Sequence, residues 1–380
     1  MSNPPQSVLR YIASVAVPVL ILAPPLFFLA RSFRERDAHT SEIPVLPTDL
    51  GAFLAQAPQD ACQDAAQRGA RASAAFFEQA ERESDWPLQT PSVTSHVLLA
   101  CGKDCVTPDG TPLVEFWFLG QLNPPGESLL HRGELLALSN ELGLRGAKPI
   151  LWNDENVSSV EEELLHVATA FAVPPDSAWD ARELEKGTVY GWELQAFCGY
   201  LGPSGELPGG QPISGAALEV ALVGANTKTE AGTHDLEGLA FCLAAFDDAP
   251  FWKTQDRSNY AGVSQVLEER LASDLSGLTP TGQAYSGDQS FDDCSERDPT
   301  CQAMSDLLKQ AHLIEWAALT KPACSSEYQR ALTRYAELTE GLEESWVAEE
   351  QQGWAGAMTL LSSTHAVHAG RRLAWAYAPS

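Results

Sequence analysis

The stretch Thr233-His234-Asp235-Leu236-Glu237-Gly238-Leu239-Ala240-Phe241-Cys242-Leu243-Ala244-Ala245-Phe246 decides how this chain is read. Thr233 follows Gly232 and can cap a helix, its hydroxyl accepting from a free backbone N–H of the first turn. His234 and Glu237, three residues apart, then share one helical face near that start. Beyond them the segment is almost wholly apolar, the pattern of a helix buried on most sides. The design recurs in Thr188-Val189-Tyr190-Gly191-Trp192-Glu193-Leu194-Gln195-Ala196-Phe197-Cys198, which aligns without a gap, Glu193 on Glu237, Phe197 on Phe241 and Cys198 on Cys242. Looser copies are Ala311-His312-Leu313-Ile314-Glu315-Trp316 and Thr364-His365-Ala366-Val367-His368. Four segments thus open with a (His/Tyr)-x-x-(Glu/His) pair, an internal repeat.

Each copy follows an amphipathic segment with an acidic outer face: residues 158–172, 214–223, 260–275 and 326–345. Amphipathic then buried is what the outer and inner helices of an α/α-hairpin produce, and such hairpins need neighbours to cover their inner helices. The inner helices are expected to begin near Thr188, Thr233, Lys309 and Thr364 and to share one direction. The long stretch from Ser276 to Thr300, rich in Gly, Ser, Asp and Thr, reads as a lid or a surface loop.

This alternation resembles the α/α-toroid folds of six-hairpin glycosidases and terpenoid-cyclase-like proteins. It also looks like a group of membrane-anchored bacterial toroid proteins with similar Thr-His, His-x-x-Glu-Trp and Ser-x-His-x-x-His segments. The resemblance covers residues 158–380 and implies no substrate; neither a prenyltransferase zinc pattern nor the paired acidic signature of a terpenoid cyclase is matched. In a toroid, inner helices lie parallel and their starts reach one mouth. Tyr190, Glu193, His234, Glu237, His312, Glu315, His365 and His368 would then line a rim where helix N-termini add partial positive charge.

Two functions follow from that rim. One is a binding or scaffold module for a protein or carbohydrate partner. The other is a hydrolase or lyase for a polysaccharide or cell-envelope substrate, with Glu237 or Glu315 as acid or base, His234 or His312 as its partner, and Tyr190, Trp192, Glu193, Trp316, His365 and His368 contacting substrate. Against both stands ordinary capping and core packing, which would account for any single pair. Neither a Gly-rich phosphate loop nor a Gly-x-Ser-x-Gly elbow is present, so a hydroxyl nucleophile has no support. Imidazole and carboxylate together suit zinc, yet ligands spread around a ring stand too far apart. The expectation is a hydrogen-bonded polar cluster with no permanent metal or cofactor.

Charge excludes a further class. The net charge of −27 and the lack of Lys/Arg clusters rule against nucleic-acid binding. Residues 11–30 carry no charge and match the roughly 20 residues a bilayer-spanning helix needs. They read as a retained single-pass anchor, flanked by Arg10 and by Arg31, Arg34 and Arg36. The Arg excess behind the run favours a cytoplasmic body. The loop cysteines favour an exported one, and export is the expectation. Of the eight cysteines, Cys101 with Cys105 and Cys294 with Cys301 read as short loop disulfides, and Cys198 and Cys242 as buried thiols.

The expected organisation is mainly α. An anchor occupies residues 1–37. Residues 38–126 hold a tether, an Ala-rich helix from about Asp60 to Glu83, and a β-hairpin of Val93–Ala100 with Leu113–Leu119 around the Pro108-Asp109-Gly110 turn. Residues 127–380 form α/α-hairpins closing into a partial or full toroid.

Overall fold

The computed structural model describes residues 49–83, 91–101, 230–246, 257–282, 299–345 and 354–378, with isolated positions and two short strands between them. The chain is mainly helical. The helices among the described residues are α1 (Leu50–Ala55), α2 (Ala61–Glu83), α3 (Pro91–Cys101), α4 (Glu230–Phe246), α5 (Arg257–Ser276), α6 (Pro299–Leu319), α7 (Ser326–Ser345) and α8 (Trp354–Ala376). Strands β1 (Pro149–Leu151) and β2 (Val157–Ser159) pair antiparallel. Among the described residues no helix is long and apolar enough to cross a membrane, and the 11–30 run lies outside them.

Local chemistry sets the helix ends. Asp60 caps α2 through its Oδ1 to the Gln63 N–H at 2.8 Å, and the Gln63 side chain reaches back to the Gln59 N–H at 2.9 Å. That is a capping box shifted by one residue. Ser325 caps α7 through the Tyr328 N–H at 3.1 Å. Between α6 and α7, Lys321 adopts a left-handed φ of 46° and Pro322 follows, so α6 stops and the chain reverses within a few residues.

Contacts fix the helix directions. Met304 meets Thr359 and Glu315 meets His368, so α6 and α8 run parallel. His234 lies near His365, and Glu237 near Arg372, which gives α4 the same direction. His96 faces His365, and the Leu99 carbonyl accepts from Arg371, so α3 joins them. Helices α2 and α7 run parallel to each other, because Cys62 is bonded to Cys324 at the entrance to α7 and Gly69 sits against Ala336. Both oppose α8: Gly370 rests on Ala70, while Phe53, ahead of α2, stacks on Tyr377 beyond the far end of α8. Four helices of one direction thus stand together, with oppositely directed helices behind them.

The outer interface is tight. A Cβ on Gly69 would run into the Tyr335 ring, so glycine is what lets α2 and α7 approach. Arg68 makes a two-pronged bond to Glu340, at 2.7 and 3.2 Å, on the exposed edge of the same contact. Gln310 is fully buried on α6. Its amide donates to the Ala331 and Gly282 carbonyls and its Oε1 accepts from the Ala284 N–H at 2.8 Å. Gly282, at φ +85°, presses on the Arg330 backbone, where a side chain has no room.

Several expectations change. Val93–Ala100 is not a strand: it lies in α3, which opens at Pro91, a residue suited to the first helical position. Residues His96 to Ala100 are buried without a break, so burial on all sides hid the helical period. A bridge between Val106 and Pro112 still spans the Pro-Asp-Gly turn, with Gly110 at φ +85°. Ser158 and Ser159 belong to β2 rather than to a helix start. Helix α4 begins at Glu230, so Thr233 lies inside it and is not its N-cap. Helices α6 and α8 begin at Pro299 and Trp354, well ahead of Lys309 and Thr364. Helices α2 and α3 pack directly on α7 and α8. The expected segments 188–198 and 214–223 lie outside the described residues, apart from a single helical position at Gln195.

Candidate functional site

The four parallel helices each send ionisable side chains to one place. Helix α3 supplies His96, α4 supplies His234 and Glu237, α6 supplies His312 and Glu315, and α8 supplies His365, His368 and Arg372. None of these is more than 4 % exposed. Residues 365, 368 and 372 are spaced three and four apart, so one stripe of α8 carries all three.

Glu315 is the hub. Its Oε1 lies 2.9 Å from His365 Nδ1 and 3.1 Å from His368 Nδ1. A carboxylate only accepts, so both Nδ1 atoms carry a hydrogen. Burial alone would raise the Glu315 carboxyl. The His368 hydrogen bond and the charge of the His368 imidazole outweigh it and hold the group below its usual range. Glu237 is the second carboxylate, with Arg372 Nη2 at 3.2 Å, His234 Nδ1 at 3.8 Å and His368 Nδ1 at 3.9 Å. Burial opposes its ionisation too, but His234, His368 and Arg372 bring it down to about 2.

His312 differs from its neighbours. Its ring sits edge-on to His365 at 4.3 Å and to His234 at 5.2 Å between centroids. Neither ring nitrogen has a hydrogen-bond partner, and Glu315 Oε2 lacks one as well. Burial first, then the adjacent His365, hold His312 well below the usual imidazole range, so the ring is neutral. An unmet buried donor or acceptor costs about 1–3 kcal/mol, which makes three such atoms on His312 and Glu315, one turn apart on α6, a costly arrangement for packing alone. Ligand atoms of His312, Glu315 and His365 all lie within 4.8 Å of one another. Asp60, Cys62 and Cys324 also cluster, but those two sulfurs are joined to each other in a disulfide and cannot ligate as thiolates.

The structure therefore brings together six residues that the sequence singles out: His234, Glu237, His312, Glu315, His365 and His368. It places them within long helices rather than at the helix starts where the rim was expected. Dispersal around a ring, expected from the repeat, does not hold for His312, Glu315 and His365. Trp316 is buried at 1 % exposure and offers no open face for a sugar ring. Tyr190, Trp192 and Glu193 lie outside the described residues. Two members were missed. His96 follows Thr94-Ser95 much as His365 follows Ser363-Thr364, a signal masked by the strand reading. Arg372 is one turn beyond His368, where helical spacing points to it.

The described cysteines are oxidised, while Cys198 and Cys294 lie outside the described residues. Cys62 pairs with Cys324 and Cys101 with Cys105, the second as expected. Cys242 is disulfide-bonded rather than a buried thiol, and Cys301 is bonded as well. No cysteine among the described residues is free. No protein-family model matches the chain, and no curated protein or solved structure is significantly similar to it.

Proposed function

We propose that this chain is a membrane-tethered protein of α/α-toroid type that binds a small ligand in its buried His/Glu centre. The observation that carries the reading is the set of partnerless atoms at His312 and Glu315 Oε2, inside a site no more than 4 % exposed. A group of converging polar atoms left open within a core is the usual mark of a binding site. Helices of one direction inside and of the opposite direction outside, with α8 lying against α3, support the toroid. The uncharged 11–30 run supports the tether, and the disulfides support a body facing an oxidising compartment. Depth weighs against the rival hydrolase or lyase, because a polymer needs an open cleft to reach Glu237 or Glu315.

Native mass spectrometry of the full chain, released gently from detergent, tests the reading. The native mass is expected to exceed that of the denatured polypeptide, and Glu315→Gln is expected to remove the excess while far-UV circular dichroism stays unchanged. Equal native and denatured masses, with Glu315→Gln only shifting the unfolding temperature, would return these residues to a structural role.

A further inference from the structure

Resting on that reading, we propose that the ligand is a divalent transition-metal ion, zinc in the first instance, held by His312, Glu315 and His365. Two imidazoles and one carboxylate form a donor set suited to zinc, with a fourth position left for water or a further side chain. The geometry is close to what such a site needs. Donors about 2.1 Å from a tetrahedral ion stand about 3.4 Å apart. One donor atom from each of the three residues lies within 4.8 Å of the other two, so the set would have to draw together by about 1 Å to hold an ion.

The hydrogen bonds divide the work. Glu315 Oε1 is committed to the Nδ1–H groups of His365 and His368, while Oε2 is left to point at an ion. Ligation through Nε2 would let His365 keep its Nδ1–H bond to Glu315. A carboxylate that orients imidazole ligands is the usual outer support of a zinc site, and here one residue both orients and ligates. His312 has a lone pair to give at either nitrogen without breaking a bond. His234, its ring 5.2 Å from that of His312, is placed to approach the fourth position.

Charge points the same way. Glu237 has Arg372 beside it. Around Glu315 the ion pairs among the described residues are with imidazoles only. A divalent ion at Glu315 Oε2 would supply the positive charge there, in a setting where uncompensated carboxylate is costly.

The test uses the full chain in detergent, stripped with a chelator, dialysed against Zn2+, desalted and analysed for metal by mass spectrometry. The wild type is expected to keep about one ion per chain, as a closed three- or four-ligand site does. His312→Ala and Glu315→Gln are each expected to lose most of it, while the surface variant Glu340→Gln keeps it. Should His312→Ala fail to fold, His365→Gln with circular dichroism serves in its place. Zinc that washes out of the wild type, or stays in both His312→Ala and Glu315→Gln, overturns the metal assignment. If native mass spectrometry of the metal-free sample then reveals an organic or anionic ligand that Glu315→Gln removes, the binding site stands and only the ion was wrong. A chain with no ligand of any kind sinks both readings.

Discussion

The hydroxyl of Tyr335, on α7, donates to the backbone carbonyl of Ala366, on α8, at 2.6 Å, with Ser73 Oγ of α2 standing 3.1 Å away. One side chain from the outer layer thus fastens the helix turn that carries His365, and does so beside the place where α2 meets both helices. Tyr335→Phe keeps the ring and removes the bond. It leaves Ser73 Oγ without that neighbour and is expected to cost about 1–2 kcal/mol. Urea denaturation should show a lower midpoint at unchanged slope; an unchanged midpoint would mean the bond is replaced by water at no cost.

Two glycines make opposite predictions. Gly69 faces the Tyr335 ring, so Gly69→Ala forces α2 and α7 apart and is expected to cost about 1–3 kcal/mol. Gly341 lies exposed within α7 with open space around it, so Gly341→Ala is expected to stabilise by about 0.5–1 kcal/mol through helix propensity. Thermal unfolding of the pair checks both signs at once. The same sign for both would contradict the packing described.

Alkaline stability follows from buried phenols. Burial raises Tyr328 and Tyr335 well above the ordinary tyrosine value, and burial with nearby Asp60 takes Tyr377 to about 12. A raised phenol pKa means that, above about pH 10, the unfolded chain loses protons the folded chain keeps. The stability these groups contribute is therefore fully present below pH 10 and declines as pH rises, for Tyr377 until about 12. Tyrosinate absorbance should separate into an early class and a late class, the late class appearing together with loss of helical signal. Every tyrosine ionising near its ordinary value in a folded protein would refute this.

The Cys62–Cys324 bond spans 262 residues of sequence. Cross-links that close long loops restrict the unfolded chain, and removing one typically costs about 2–4 kcal/mol. Cys62→Ser combined with Cys324→Ser should lower the urea midpoint in non-reducing buffer. A variant as stable as the wild type would show that helix packing alone holds this junction.

Much of the outer layer was legible before any coordinates. Helix α7 runs from Ser326 to Ser345 as its amphipathic period indicates, and α2 and α5 lie within a few residues of their expected ranges. An acidic face opposite an apolar one leaves an unambiguous 3.6-residue signature. The inner helices lose that signature because solvent touches neither side. In α3 the β-branched residues and the unbroken apolar run imitated a strand. In α6 and α8 the polar pairs imitated caps, since sequence does not distinguish a polar residue facing water from one facing a polar interior. The residue types of the centre were therefore found and its depth was not. Convergence of His312 and His365, more than fifty positions apart in sequence, is a property of the packing alone.

Helix α8 is the last of the described helices and touches α2, α3 and α6. It also contributes His365, His368 and Arg372 to the centre. During synthesis the ribosome emits every other described helix first, so the growing chain holds the first half of the site with nothing to complete it. No folding intermediate that lacks α8 can present the finished donor set, and a premature stop before Trp354 releases a polypeptide without two of the histidines. Assembly of the centre thus reports that the polypeptide has been made through α8 and that α8 has packed back on α2 and α3.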